Sequence, residues 1–307
     1  MALGLTGYIE LPPHEGKGGF DHADIHRASG RLFVAHTAND ALEVIDCGTD
    51  QHLGSVPGLQ EVAGVLVSEK HDLVFTSNRG ENTVSIFPPM QPAKMARVPV
   101  GVRPNGLAYD PASRLLLAAN VGDPAQVGSQ TVSMVHVIER RMVANISVPG
   151  RTRWAVFDPG TGHFYVNISA PPAIVVVDPS SPYSVARVLE VPVEGPHGLD
   201  VDVSGGRLFC ACDGGELVTL EAATGQVVNR LPISGVPDVI FFHAGLRRLY
   251  VAVGDPGVID VISTASMTRV ETVATERGGK TTALDVGHNK LYAFLPESHR
   301  AAVFVDT

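Results

Sequence analysis

Three histidines in this 307-residue chain, His22, His36 and His197, stand out, the first flanked by Asp21 and Asp24. Imidazole titrates near neutral pH and its ring nitrogens bind metals, so this pairing suits acid–base chemistry or a divalent ion. Asp21, His22, His197 and Asp238 are the candidate catalytic groups, and His22, His36, His197 and Asp24 are the candidate ligands of one divalent metal ion. Arg153 and Lys280 would hold an anionic group, with Asn105 and Trp154 completing a ligand-binding set. Taken alone, His36 reads more readily as a hydrogen-bonded structural group. Asp24 and Asp200, at a step that is apolar in the other repeats, need partners if they are buried between elements.

None of the familiar catalytic signatures is present: no G-x-S-x-G, no H-E-x-x-H, no P-loop and no EF-hand loop. The chemistry therefore depends on residues distant in sequence being brought together, and an internal repeat does this. Pro104-Asn105-Gly106-Leu107-Ala108-Tyr109-Asp110 matches Pro196-His197-Gly198-Leu199-Asp200-Val201-Asp202. Each is followed by a turn and an apolar run, Leu116-Leu117-Ala118-Ala119-Asn120 in one and Leu208-Phe209-Cys210-Ala211-Cys212 in the other. The frame fits five more times, over residues 20–36, 62–78, 152–168, 237–253 and 279–295. A third strand follows in most units, as in Ile174-Val175-Val176-Val177-Asp178, and a fourth ends near Pro or Gly.

Four short Val- and Ile-rich strands in about 40 residues are the pattern of a propeller blade rather than a helical repeat. The expected fold is all-β: a seven-bladed β-propeller with four antiparallel strands per blade. The last unit stops after its third strand, and Gly7-Tyr8-Ile9-Glu10-Leu11-Pro12 reads as a displaced fourth, so the N-terminal strand should complete the last blade. That closure removes an exposed sheet edge. Residues 1–307 then form one domain, with blades near 20–59, 60–101, 102–150, 151–195, 196–235 and 236–278, and a last blade of 279–307 plus 3–13.

In such a ring the first strand of each blade lines the channel. The second residue of each frame reads Asp21, Ala63, Asn105, Arg153, His197, Asp238 and Lys280, six of them polar or ionisable. Solvated loop residues would also be polar there, but mixed charges converging on one mouth are costly unless they pair or bind something. One step further in, His22 and Trp154 replace the Gly of blades two, three and five. Asn78 and Asn120 read as side chains that cap the following loop, and residues 121–130 as a surface loop.

Leu116-Leu117-Ala118-Ala119-Asn120, Val74-Phe75-Thr76-Ser77-Asn78 and Leu249-Tyr250-Val251-Ala252-Val253 resemble the Leu-Tyr-Val-Thr-Asn core of YVTN-repeat, or YncE-like, propellers. The resemblance spans the whole chain. It implies the propeller fold, while members of that group include surface proteins, a proposed DNA binder and proteins without an assigned role. More distant propellers include metal-dependent lactonases and lyases. The resulting expectation is a small-molecule ligand in the central channel and metal-assisted hydrolase or lyase chemistry, lactonase-like. The alternative is a non-catalytic scaffold of the YncE-like type that engages a protein partner.

Totals narrow the partners. A net charge of −9 argues against nucleic acid as the general partner, since phosphate binding needs clustered Lys and Arg. No apolar run reaches the length of a membrane-spanning helix, and the first eight residues lack a signal-peptide pattern, so a cytoplasmic location is expected. Cys47, Cys210 and Cys212 are odd in number and spaced for neither zinc nor a C-x-x-C redox pair, so all three should be free thiols.

Overall fold

The sixteen-residue frames are antiparallel strand pairs. A computed structural model describes Leu3–Thr307, and in it Phe20 faces His36, Val62 faces Asn78 and Pro104 faces Asn120. Thr152 likewise faces Ile168, Pro196 faces Cys212 and Pro237 faces Val253. In the seventh unit the pair is Thr281–Asp285 with Lys290–Leu295, so Gly279 lies just ahead of its strand. The described residues form 28 strands in seven four-stranded antiparallel sheets, with three one-turn 3-10 helices.

The sheets stand as blades around an axis. Inner strands touch their neighbours in succession, and Phe20–His26 of blade one packs on Thr281–Asp285 of blade seven, closing the ring. Blade seven takes its outermost strand, Leu3–Glu10, from the N-terminus, paired antiparallel with Arg300–Asp306. The bond from Leu11 N–H to the His299 carbonyl (2.9 Å) extends that closure. It satisfies a backbone edge that would otherwise be open to another chain.

Period-two alternation explains the core. In blade four, Phe164, Val166 and Val175 point toward blade three, while Tyr165, Ile174 and Val176 point toward blade five. The same division recurs at every blade boundary, giving seven apolar clusters between neighbouring blades. Phe164 is fully buried, and its truncation to Ala would cost about 3–5 kcal/mol. Outermost strands such as Gln51–Pro57 alternate exposed and half-buried residues, as an edge facing water should.

Six inner strands carry a register shift within the first four residues of the frame, and that of blade six carries a second just ahead of it. Such bulges re-aim side chains. Here they lie at the second and third residues of the frame, and from that stretch Asp21, His22, Asn105, Arg153, Trp154, His197 and Asp238 reach the mouth of the channel. Three of those third residues are Gly64, Gly106 and Gly198. A Cβ on them would lie 2.1 Å from the Asn105 carbonyl oxygen, 2.5 Å from that of Arg153 and 2.4 Å from that of Asp238, respectively. Glycine there lets each inner strand press against the next one, at the residue the next blade contributes to the mouth.

Candidate functional site

The bulged residues surround a cavity of about 410 Å³ at one mouth of the channel. Asp21, His22, Asn105, Arg153, Trp154, His197, Asp238 and Lys280 all line it, so six blades contribute one expected residue or more. Arg79 and Arg151 line it as well. Arg79 immediately follows the second strand of blade two, and Arg151 immediately precedes the inner strand of blade four.

On one side, Arg79 Nη2 donates to Asp21 Oδ2 (3.0 Å) and to Asn105 Oδ1 (2.8 Å). On the other, His197 is clamped between two carboxylates: Nδ1 lies 2.7 Å from Asp213 Oδ1 and Nε2 lies 3.1 Å from Asp238 Oδ1. Lys280 Nζ holds the second Asp238 oxygen at 3.0 Å. Burial alone would lower the His197 pKa, but Asp238 and Asp213 outweigh it and raise it above the ordinary value. Burial likewise opposes ionisation of Asp238, yet His197 and Lys280 hold its carboxyl far below the usual range. The Asp238 charge, with burial opposing, also raises Lys280.

A protonated His197 directs its Nε2 proton at Asp238. Arg153 Nη1, 3.3 Å from that same nitrogen, then faces a donor rather than an acceptor. The nearest carboxylate oxygen to the Arg153 guanidinium is Asp213 Oδ2 at 3.7 Å. The Nε atoms of Arg153 and Arg79 are buried without a hydrogen-bond partner. Arg151 has no ion-pair partner among the described residues, and its pKa is lowered by burial and then by the crowding of Arg153, Arg79 and Arg103. Four permanent cations and a histidine biased toward its charged form thus face three carboxylates, Asp21, Asp213 and Asp238, on a protein whose net charge is −9.

The floor is made by His22 and Trp154. They come from blades one and four, across the ring, and their rings meet at a centroid distance of 4.0 Å and an interplanar angle of 35°. Burial lowers the His22 pKa, against the pull of Asp21 and Asp238, which favours its neutral imidazole.

The expected metal set does not share a centre. His36 is fully buried behind the mouth, with Nε2 2.7 Å from His14 Nδ1 and Nδ1 2.8 Å from Glu43 Oε1. Asp24 lies beyond the His22–Trp154 floor, where its two oxygens accept the backbone N–H groups of Ile25 and Val67 (2.8 Å each). Among the described residues no group of three or more His, Cys, Asp or Glu is arranged to hold a metal ion. The remaining mouth carboxylates and His197 are committed to one another and to cations, so these residues do not fit a metal centre.

Other residues take structural roles. Asn78 Nδ2 donates to the hydroxyls of Thr83 and Ser85, and Asn120 Nδ2 to those of Thr131 and Ser133, tying second strands to third. Cys210 and Cys212 are free, buried thiols 3.8 Å apart on one strand face, and Cys47 is also free and buried. Residues 121–130 fold onto themselves through Ser129, whose hydroxyl donates to the Gln126 carbonyl (2.7 Å), and line no part of the mouth. No helix among the described residues is long and apolar enough to cross a membrane.

A scan against protein-family models gives no match, and neither does a search of curated proteins. Among solved structures, hydrazine synthase of Kuenenia stuttgartiensis superposes with a TM-score of 0.83, over 96% of this chain and 97% of that one, at 14% identity. At that identity the likeness shows the propeller fold alone.

Proposed function

We propose that the mouth binds a small organic anion, a carboxylate or a phosphate ester, and that His22 and His197 offer it acid–base chemistry of the hydrolase or lyase type. The observation that carries this reading is the excess of cations, with two buried guanidinium nitrogens lacking partners. A unit charge about 4 Å from a surplus cation gains about 4 kcal/mol at an effective dielectric near 20, before desolvation. The cavity, about 410 Å³, falls in the usual range for small-molecule sites.

The acid–base part rests on opposed protonation. A pair of titratable groups pushed in opposite directions marks out an acid and a base. His22 at the floor, whose pKa burial lowers, would act as the base, and His197 on the wall, whose pKa its two carboxylate neighbours raise, as the acid. The YVTN-type residue pattern fits this reading without dictating it. A protein-binding scaffold would present aromatic anchors on a face. The single tryptophan is in the channel instead, and Leu5, Tyr8 and Leu53 lie on outermost strands.

Thermal-shift screening against small carboxylates and phosphate esters tests the binding. The expected result is a rise in Tm for wild type that Arg153→Met and Lys280→Met each abolish. An anion that stabilises all three proteins equally would sink the site. For any anion that binds, exchange of its acidic C–H in deuterated buffer, followed by NMR, tests the acid–base part. Exchange lost in His22→Gln supports it; binding without exchange or turnover leaves only a receptor.

A further inference from the structure

Below the His22–Trp154 floor the channel opens into a second chamber of about 460 Å³, lined by inner strands of blades one to six. His22 and Trp154 are the two residues that border both cavities, so the stacked rings form a partition. The two chambers differ in chemistry. The lower walls are aromatic and aliphatic, with Trp154, Phe157, Phe241 and Tyr109 among them, and Trp154 meets Phe241 edge to face at 6.4 Å.

Two carboxylates, Asp24 and Asp200, line this otherwise apolar space. Asp200 accepts N–H from Val201 (2.8 Å) and Phe242 (2.6 Å), as Asp24 does from Ile25 and Val67. Two donors leave about half of a carboxylate's acceptor sites free. Among the described residues no cation is within ion-pair distance of either group. Burial pushes Asp24 up to about 7 and Asp200 up to about 6, as expected of carboxyls without a counter-charge. At the same step the other blades carry Leu66, Ala108, Val156, Phe241 and Ala283, all apolar. At the rim, Glu69 is taken up by Arg27, and Lys70 is exposed.

We propose that this chamber binds a small organic ammonium ion, its apolar body against Phe157, Phe241 and Trp154 and its charge drawn by Asp24 and Asp200. A cation over aromatic faces gains from the ring quadrupole, and it brings the two carboxylates the counter-charge that the protein does not supply. Once ionised, both aspartates repel anions, so the two chambers select opposite charges on either side of one partition.

Trp154 is the only tryptophan and borders the chamber, so its emission reports binding directly. Titration with benzyltrimethylammonium chloride should give a saturable change, at least tenfold tighter than titration with benzyl alcohol. The Asp24→Asn/Asp200→Asn double variant should lose at least tenfold for the cation and keep its response to the alcohol. If the double variant melts early, Asp24→Leu, which copies the residue of blade two at that step, replaces it with the same expected loss. Equal affinity for cation and alcohol, or unchanged cation binding in the aspartate variants, would overturn the proposal.

Discussion

Gly106→Ala tests whether close packing of the inner strands positions the mouth. The new Cβ would stand 2.5 Å from the Arg153 carbonyl oxygen, 3.2 Å from Ala155 N and 3.3 Å from Trp154 C, all backbone atoms of blade four. Ordinary contact is 3.4–4 Å, so that strand must retreat by roughly an ångström, and no flexible side chain can absorb the move. Overpacking of this kind costs about 1–3 kcal/mol. At about 2 °C per kcal/mol for a chain of this size, Tm should fall by roughly 2–6 °C. Arg153 and Trp154 ride on the displaced segment, so anion affinity should fall as well. Gly7→Ala is the matched control, because nothing lies within 4 Å of its added Cβ. It should change stability by less than about 0.5 kcal/mol. Differential scanning calorimetry and an anion titration of both variants decide the matter. A Gly106→Ala protein with wild-type Tm and affinity would refute the argument that these glycines set the mouth.

Three further outcomes follow from the same geometry. Trp154→Ala removes the ring stacked on His22 and admits water, so the His22 pKa, held low chiefly by burial, should rise, as followed by NMR of its ring proton. A value that stays put would mean that the partition does not desolvate His22. His197 has a raised pKa, so its contribution to stability is complete below the ordinary histidine pKa of about 6.5 and fades as pH rises through the folded value. Urea unfolding between pH 6 and 9 should show wild type losing its advantage over His197→Gln as pH climbs, and a pH-independent difference would contradict this. Elemental mass spectrometry on protein purified without chelators should find no stoichiometric divalent ion on His22, His36, His197 and Asp24. One equivalent per chain, lost in the His22→Ala/His197→Ala double variant, would overturn the reading of those side chains as separately committed.

The repeat frame is legible in sequence because strand pairing leaves a fixed offset: the residues sixteen apart are cross-strand partners in six blades. The channel ring is legible for the same reason, since one column of the frame is one height on the axis. Other columns carry the rest. Arg79 and Asp213 follow the last frame residue of blades two and five, in a column that otherwise reads Thr37, Val121, Ser169, Gly254 and Pro296. A lone Arg and a lone Asp in that column are the signal that finds them. Arg151 stands one residue ahead of its frame, where Arg103 stands in blade three.

Closeness in sequence misleads where a strand intervenes. Asp24 is two residues beyond His22, which on an extended chain is about 7 Å further down the channel. That step crosses the partition made with Trp154, a residue 130 positions away, which no local pattern reveals. His36 faces Phe20 across the strand pair rather than the axis, and the loop histidine His14 claims its Nε2.

The central claim is that the mouth is an anion site on an acidic protein, and isothermal titration with citrate at low and high salt tests it most directly. One site per chain is expected, weakened by added sodium chloride and lost in an Arg151→Met/Arg153→Met double variant that still melts as a folded protein. Binding that survives removal of both arginines, or no heat at any salt concentration for citrate and for phosphate esters alike, would contradict it.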